Sequence, residues 1–469
     1  MKRDVRRLAD GFAVRLRDDV RFRDGLLVGG SPLRAVRVRP AARKLFDDRA
    51  VRVAGAASDR LAGYLLDANL ADPVLDHPPA PAGSLTVVVP VRDRVAQLGR
   101  CLAALAGLDV LVVDDASEDV DAVTAVVARH GATLVPLPTN LGPAGARNAG
   151  LKHVTTPYVA FVDSDVVVSP DALLRLTRHF QDAKLALVGP LVRGRSHTRH
   201  TADTPRWFER YDEAASSLAL GTRPGSVQPG ANIGWLPSAC LVGRTKALRR
   251  LGLPGFDPAM RIGEDVDLVW RLLDAGWKVR YDPSEAADHD TRATLRGWLG
   301  RKVAYGTGGA PLAARHGRSV APAVLSGTGA AVAAAVLVRK PWSVPVAVIG
   351  LGHSWWRLSR RLPETDGRAA LAGRLTVQGT AWAVRQEAGL LLRHWWPLTA
   401  VLCPFSRTVR RAASTALVVD LVVAGFEHPG APYQLAGRRL DDLAYGAGLW
   451  LGALRARSID CLLPRRPRG

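Results

Sequence analysis

Cysteine is scarce in this 469-residue chain: four residues, Cys101, Cys240, Cys403 and Cys461, lie far apart and form no CxxC pair. That spacing excludes a disulfide framework, a zinc ribbon and a thioredoxin-type centre, and it leads us to expect a reducing, cytoplasmic setting. A secretory apolar core is missing as well, because the opening MKRDVRRLADGFAVRLRDD is charged throughout. Long apolar runs are few. Ala321–Val338 has 18 residues without a charge, but it is rich in Ala and Gly and contains Pro322, Ser326 and Thr328. That is the lower edge of a spanning length, and Pro341–Gly352 is too short to span alone. No repeat of solenoid period is present. With 48% hydrophobic and 23% charged residues, the chain is neither a disordered tail nor a multi-span membrane protein. Its length suits about three domains.

Acidic residues are outnumbered, 43 Asp and Glu against 64 Lys and Arg, for a formal net charge of +21. From Arg292 to the end, 25 Lys/Arg face 8 Asp/Glu, so +17 of the +21 lies in that segment. Charge of this kind favours anionic lipid, phosphate or nucleic acid, and does not by itself choose among them.

Three regions follow from pattern. Residues 1–80 carry short strands at Phe12–Leu16, Val20–Phe22 and Leu26–Val28, then helical stretches at Pro40–Phe46 and Ala56–Leu70. The segment His77-Pro-Pro-Ala-Pro-Ala-Gly83 reads as a linker. From Ser84 a βα rhythm begins, with strands at Leu85–Pro90, Val110–Asp114, Thr133–Leu137 and Tyr158–Val162 separated by helices. Short apolar strands alternating with helices predict an α/β domain with a mostly parallel sheet, spanning 84–301. Residues 302–469 turn to Ala, Gly, Trp and Arg, and seven of the twelve Trp fall between Trp342 and Trp450. Basic, Trp-bearing stretches suit a membrane interface, so peripheral contact with the inner face of the cell membrane is favoured over a plain helical subdomain.

Polar clusters recur where ligands of such sheets sit, beyond the carboxyl ends of the strands. Arg92/Asp93 follow the first strand, Asp114-Asp115-Ala-Ser117 the second, and Asp163-Ser-Asp165 the fourth. Gly263-Glu-Asp-Val-Asp267 opens a helix about 100 residues later. A lone Asp after a strand is usually a turn or a helix cap, and Ser169-Pro-Asp171 is read as such a helix start. Three clusters at strand ends of one sheet point instead to a hard divalent cation, Mg2+ or Mn2+, holding a diphosphate. An incoming hydroxyl then needs a carboxylate base. Asp265 is the candidate, and a helix start is expected to keep it ionised.

These motifs resemble glycosyltransferase family 2, of the nucleotide-sugar-binding A-type (GT-A) fold. The resemblance runs from about Ser84 to Arg301 through Val88-Val-Pro-Val-Arg-Asp, Val112-Val-Asp-Asp-Ala-Ser, Asn140-Leu-Gly-Pro-Ala-Gly-Ala-Arg-Asn-Ala-Gly, Phe161-Val-Asp-Ser-Asp and Gly263-Glu-Asp-Val-Asp-Leu-Val-Trp-Arg. It implies UDP-sugar binding, with Asp115, accompanied by Asp114, on uracil beside the strand end Pro90–Arg92. It further implies Arg147 near the nucleotide, Asp163 at the ribose or metal, Asp165 on the metal, and His289 as a second metal ligand. Asp265 would be the base of an inverting transfer. The chain departs from many relatives in having Arg92-Asp93 where they carry an aromatic-Asn pair. The layout, about 80 residues before the catalytic domain and a long Trp/Arg-rich tail, resembles more narrowly the glycosyltransferases of the mycofactocin system. That implies glucose transfer from UDP-glucose to a peptide-derived redox cofactor, the mycofactocin precursor peptide or its processed product, building a β-1,4-linked chain. The first domain is similar to the small winged-helix modules, like the chaperone of pyrroloquinoline quinone biosynthesis (PqqD-like), that hold a precursor peptide by strand addition. The alternative is a family 2 enzyme acting on a lipid-linked or cell-envelope glycan. A nucleic-acid partner is not expected, since a binding protein on a dead sugar-nucleotide fold would have broken acidic motifs.

Overall fold

The computed structural model describes residues 7–23, 25–196, 204–253, 255–364, 367–427 and 433–467. The chain divides into two compact units: residues 1–205 with 212–291, and residues 206–211 with 292–469.

The first unit opens with a small β-rich domain. Strands Ala13–Leu16, Phe46–Asp47, Ala50–Arg52 and Ala71–Pro73 form one antiparallel sheet, and Arg21–Arg23, Leu26–Gly29 and Arg34–Arg37 form a three-stranded meander. Helices Pro40–Arg43 and Ala56–Asp67 complete it, close to the helical stretches expected from sequence. Its core is built from Val14, Leu16, Leu27, Val51, Leu65 and Leu70. The linker is pinned to the following domain, His77 Nε2 lying 3.0 Å from Arg178 O and Ala80 N donating to Thr177 Oγ1.

A nine-stranded sheet forms the rest of this unit. Strands Thr133–Pro136, Asp109–Asp114, Leu85–Val91 and Tyr158–Val162 lie side by side in that order, all parallel. Each is bounded by a helix, Val95–Ala104, Val120–Arg129 and Gly142–His153, as the βα rhythm requires. The sheet then becomes mixed. Cys240–Arg244 runs antiparallel to both its neighbours, Leu185–Arg195 and Lys278–Asp290 pair parallel, and Val166–Val167 closes the edge antiparallel. Six of the nine strands therefore run the same way, so the sheet is mostly parallel, and Cys240–Arg244, Val166–Val167 and the short strand Gly225–Ser226 make it mixed. Among the described residues of 196–239 lie the short helix Trp207–Ala214 and the two-residue strand Gly225–Ser226, which pairs antiparallel with Lys278–Asp290, and they form no βα crossover that would set Cys240–Arg244 parallel. The expected helix start at Ser169 is present: its Oγ accepts from Ala172 N and Pro170 follows at the first turn.

The second unit is helical. Leu295–Thr307 and Tyr433–Ala456 pack backbone to backbone, because a Cβ on Gly448 would lie 1.9 Å from Val303 O and one on Gly306 2.2 Å from Tyr445 O. Buried Lys302 pairs with Asp441 at 2.7 Å across this seam. Trp298, 1% exposed, is surrounded by Trp207, Phe208 and Tyr211 at ring distances of 5.5–6.4 Å. The uncharged stretch 321–338 yields a helix only over Gly327–Val338, capped by Ser326. Twelve residues rise about 18 Å, well short of a bilayer core. No helix among the described residues is long and apolar enough to cross a membrane.

Candidate active site

The parallel strands deliver their polar ends to one place. Asp114 ends its strand buried, its Oδ1 accepting from Ser117 N at 3.2 Å and Ser117 Oγ at 2.5 Å. Asp114 thus shapes the turn, in which Ala116 adopts a left-handed φ of 57°. Asp115 is carried to the next loop, its Oδ1 accepting from Leu141 N at 2.6 Å. Burial raises the Asp115 carboxyl above its ordinary value, opposed by the Leu141 and Gly142 N–H groups and by Arg92. Pro90 is half-buried opposite Val113, and Arg92 is exposed, its Nε 3.3 Å from Asp93 Oδ2. Asp93 binds back to the second motif through Ser117 Oγ and Glu118 N. The Arg92-Asp93 pair therefore ties two strand ends together.

Arg147 stands on the helix Gly142–His153, only 2% exposed. Its guanidinium donates to Asp163 Oδ1 at 2.5 Å and to Glu264 Oε1 at 3.2 Å, and lies 5.2 Å over the Phe256 ring. It joins the fourth strand's end to the start of the Glu264–Asp274 helix, from beneath both.

Asp165 is nearly buried and ion-paired to Arg94. Its Oδ1 lies 3.6 Å from His289 Nε2. Sheet register brings these two together: Val166 pairs with His289, and Asp290 N donates to Asp165 O at 3.0 Å. Arg100, on the same helix that Arg94 precedes, pairs with Asp290. Among the described residues no three His, Cys, Asp or Glu side chains form a ready metal cluster. The pair Asp165–His289 nevertheless suits a divalent cation. Two adjacent ligands about 2.1 Å from one octahedral ion lie roughly 3.0 Å apart, so the two side chains, at 3.6 Å, would close by about 0.6 Å to share one. The Asp163 carboxylate is turned to Arg147.

Asp265 follows Glu264 at the head of its helix, behind Gly263 at φ 86°. Its Oδ1 accepts from Val266 N at 2.8 Å and its Oδ2 from Ser238 N at 3.3 Å. Burial, with the Glu264 charge beside it, pushes its carboxyl from 3.8 up to about 7. The helix start does not keep it firmly ionised, because a terminus contributes only about 0.3–1 kcal/mol against desolvation and a like charge. A carboxyl poised near neutrality is what a general base requires.

Sequence reasoning missed Arg94, Arg100 and Ser238. For Arg94 a signal existed: clustered strand-end carboxylates need cations, and the run Val91-Arg-Asp-Arg94 supplies one, whereas Arg100 lies further on, within the helix Val95–Ala104. Ser238 acts through its backbone N–H, which no residue type announces.

Residues 86–252 match the family model described as Glycosyl transferase family 2. Over 98% of its length the chain is 40% identical to pre-mycofactocin glycosyltransferases from two strains of Mycobacterium tuberculosis, covering 98% of those proteins. An N-acetylglucosaminyltransferase from Mesorhizobium japonicum is 30% identical over 48% of this chain and 55% of that protein. Among solved structures, a mannosyltransferase from Pyrobaculum calidifontis in complex with GDP-mannose and Mn2+ matches with a TM-score of 0.43 and 16% identity, covering 81% of this chain and 89% of that one.

Proposed function

Because the chain belongs to glycosyltransferase family 2 and, along nearly its whole length, to the pre-mycofactocin glycosyltransferases, we propose that it transfers glucose from UDP-glucose, with inversion, to pre-mycofactocin and extends a β-1,4-linked chain on it. The observation that carries this reading is the 40% identity over 98% of both proteins, which includes the first domain and the helical unit. Similarity limited to the catalytic domain would have left the acceptor open.

In this reading Asp115 contacts uracil, with Asp114 setting the turn and Pro90 and Arg92 flanking the ring. Arg147 fixes Asp163 at the ribose side. Asp165 and His289, with Asp163 nearby, hold Mg2+ or Mn2+, which when bound neutralises the diphosphate. Arg94, half in solvent beside Asp165, is the protein cation nearest that charge. The acceptor hydroxyl forms a new bond to the sugar's anomeric carbon from the face opposite the diphosphate. The carbon–oxygen bond to UDP breaks, UDP departs with the electron pair, and the hydroxyl proton passes to the Asp265 carboxylate.

A panel of UDP-glucose, UDP-galactose, UDP-N-acetylglucosamine and GDP-mannose, each with Mn2+, tests the donor and the metal. UDP-glucose turnover that rises with pre-mycofactocin, and is lost with chelator and in Asp165→Asn, is the expected result. Preference for another donor, or indifference to chelator, contradicts it.

The same reading gives the first domain the peptide portion of the acceptor, by strand addition to the meander. It gives the helical unit a membrane surface. Trp342, Val348, Ile349 and Trp356 are exposed on or beside the helix Ser343–Arg361, which ends in Arg360 and Arg361. Such a helix suits an anionic interface. Co-sedimentation with phosphatidylglycerol vesicles, weakened by salt, is expected; no sedimentation at low salt removes the membrane from the account.

A further inference from the structure

The first domain grips one stretch of the catalytic domain. Asn69 is 4% exposed and left-handed at φ 55°. Its Oδ1 accepts from Ser226 N at 2.6 Å, and its Nδ2 donates to Ser226 O at 3.1 Å and to Ser31 O at 3.3 Å. One side chain thus pairs both backbone groups of Ser226, as a neighbouring strand would. Further ties surround it. Ser226 Oγ donates to Leu66 O at 2.8 Å, Gln228 Nε2 to Asp67 O at 2.7 Å, and Asn232 N to Ser31 Oγ at 2.7 Å. Gly225 leaves room for the arrangement, since a Cβ there would lie 2.6 Å from Asn69 Oδ1.

The gripped stretch continues to the reacting end of the molecule. Gln228 N donates to Ile233 O at 3.0 Å, closing a turn. Gly234 O accepts from Trp270 Nε1 at 2.7 Å, and Ser238 N donates to Asp265 Oδ2 at 3.3 Å. Trp270 and Asp265 belong to one helix, Glu264–Asp274.

We propose that Asn69 is a positioning residue for transfer: by fixing Ser226 it holds residues 226–238 as a wall of the acceptor site and keeps the Ser238 N–H on Asp265. The first domain is then part of the transfer apparatus as well as a holder of peptide. This inference rests on Asp265 as the base and on residues 226–238, which reach it through Ser238, as flanking the acceptor.

Two variants approach the contact from opposite sides. Asn69→Gly keeps the left-handed backbone and removes the side chain. Gly225→Ala leaves the first domain's sequence intact and pushes Asn69 away. In both, kcat/KM for the acceptor should fall about 30- to 100-fold, the scale of a 1 Å misplacement. UDP affinity should stay within about twofold by the same reasoning, since the nucleotide residues lie on other strand ends. The pH midpoint of UDP-glucose turnover should move upward, because the carboxylate loses a stabilising N–H. Backbone amide exchange should quicken from Ser226 as far as Ser238. Gln228→Ala, a milder change to the same contact, should do the same in smaller measure. Unchanged transfer in a folded variant, exchange that quickens only at Ser226, or equal loss of UDP binding would overturn the proposal. If the wild type leaves pre-mycofactocin unmodified, the proposed function fails, while exchange reaching Ser238 still supports the positioning and exchange stopping at Ser226 still refutes it.

Discussion

Asp265→Asn should lower kcat for glucose transfer by about a thousandfold or more, within the range expected when a general base is removed. The substitution preserves shape but leaves one acceptor oxygen for the N–H groups of Val266 and Ser238, and the nucleotide residues lie on other strand ends, so UDP affinity should change little. The wild type should show a transfer rate that climbs with pH to a midpoint near 7 and then levels off, following ionisation of this carboxyl. Stability should move oppositely. The native carboxyl titrates at about 7 against an ordinary 3.8, so between those values the folded state holds a proton that the unfolded state has lost. Folding stability contributed by this group is therefore full below pH 3.8 and declines as the pH rises through 7. Asn carries no ionisation penalty, though one of the two N–H groups loses its acceptor at every pH. Asp265→Asn should therefore gain stability relative to the wild type as the pH rises from 4 to 8. Thermal denaturation across pH, beside the rate profile, checks both. A variant that retains transfer, or a rate flat from pH 5 to 8, would remove Asp265 from the role.

Arg147→Met should be the most destabilising single change at the site. The guanidinium bonds Asp163 and Glu264 at once, from a position 2% exposed, and its removal leaves two carboxylates without a partner. Breaking a buried pair in this way costs about 3–5 kcal/mol, which lowers the melting temperature by on the order of 10 °C for a unit of this size. Arg147→Lys keeps the charge but not the fork, so it should recover only part of the loss. Differential scanning calorimetry of both variants decides. A Met variant that melts with the wild type would mean the bridge contributes nothing.

The strand ends were legible because parallel sheets put ligands there, and because each acidic motif closes an apolar run. Tyr158–Val162 was exact in the sequence, and Leu85–Val91, Asp109–Asp114 and Thr133–Pro136 came within a residue. The helix start at Ser169 was legible for a local reason, a serine before proline. Long-range pairings were not legible from pattern. That Asp165 meets His289 was expected from the family resemblance alone, since Val166–Val167 closes the sheet edge against Lys278–Asp290 and register across 124 residues leaves no trace in composition. The ionisation of Asp265 was misjudged because local sequence shows the helix terminus but not the burial that outweighs it. Asn69, just past the end of the helix Ala56–Asp67, stands in no motif. Its partner is Ser226, 157 residues on, and only the folded chain joins them.

Mass spectrometry of pre-mycofactocin incubated with the protein, UDP-glucose and Mn2+, followed by NMR of the product, tests most directly whether this family 2 enzyme builds a glucose chain on pre-mycofactocin. Stepwise gain of hexose units with β-anomeric signals is the result expected. An unmodified acceptor, beside glucosylation of a polyprenyl phosphate offered in the same reaction, would contradict it and assign the enzyme to a lipid-linked glycan.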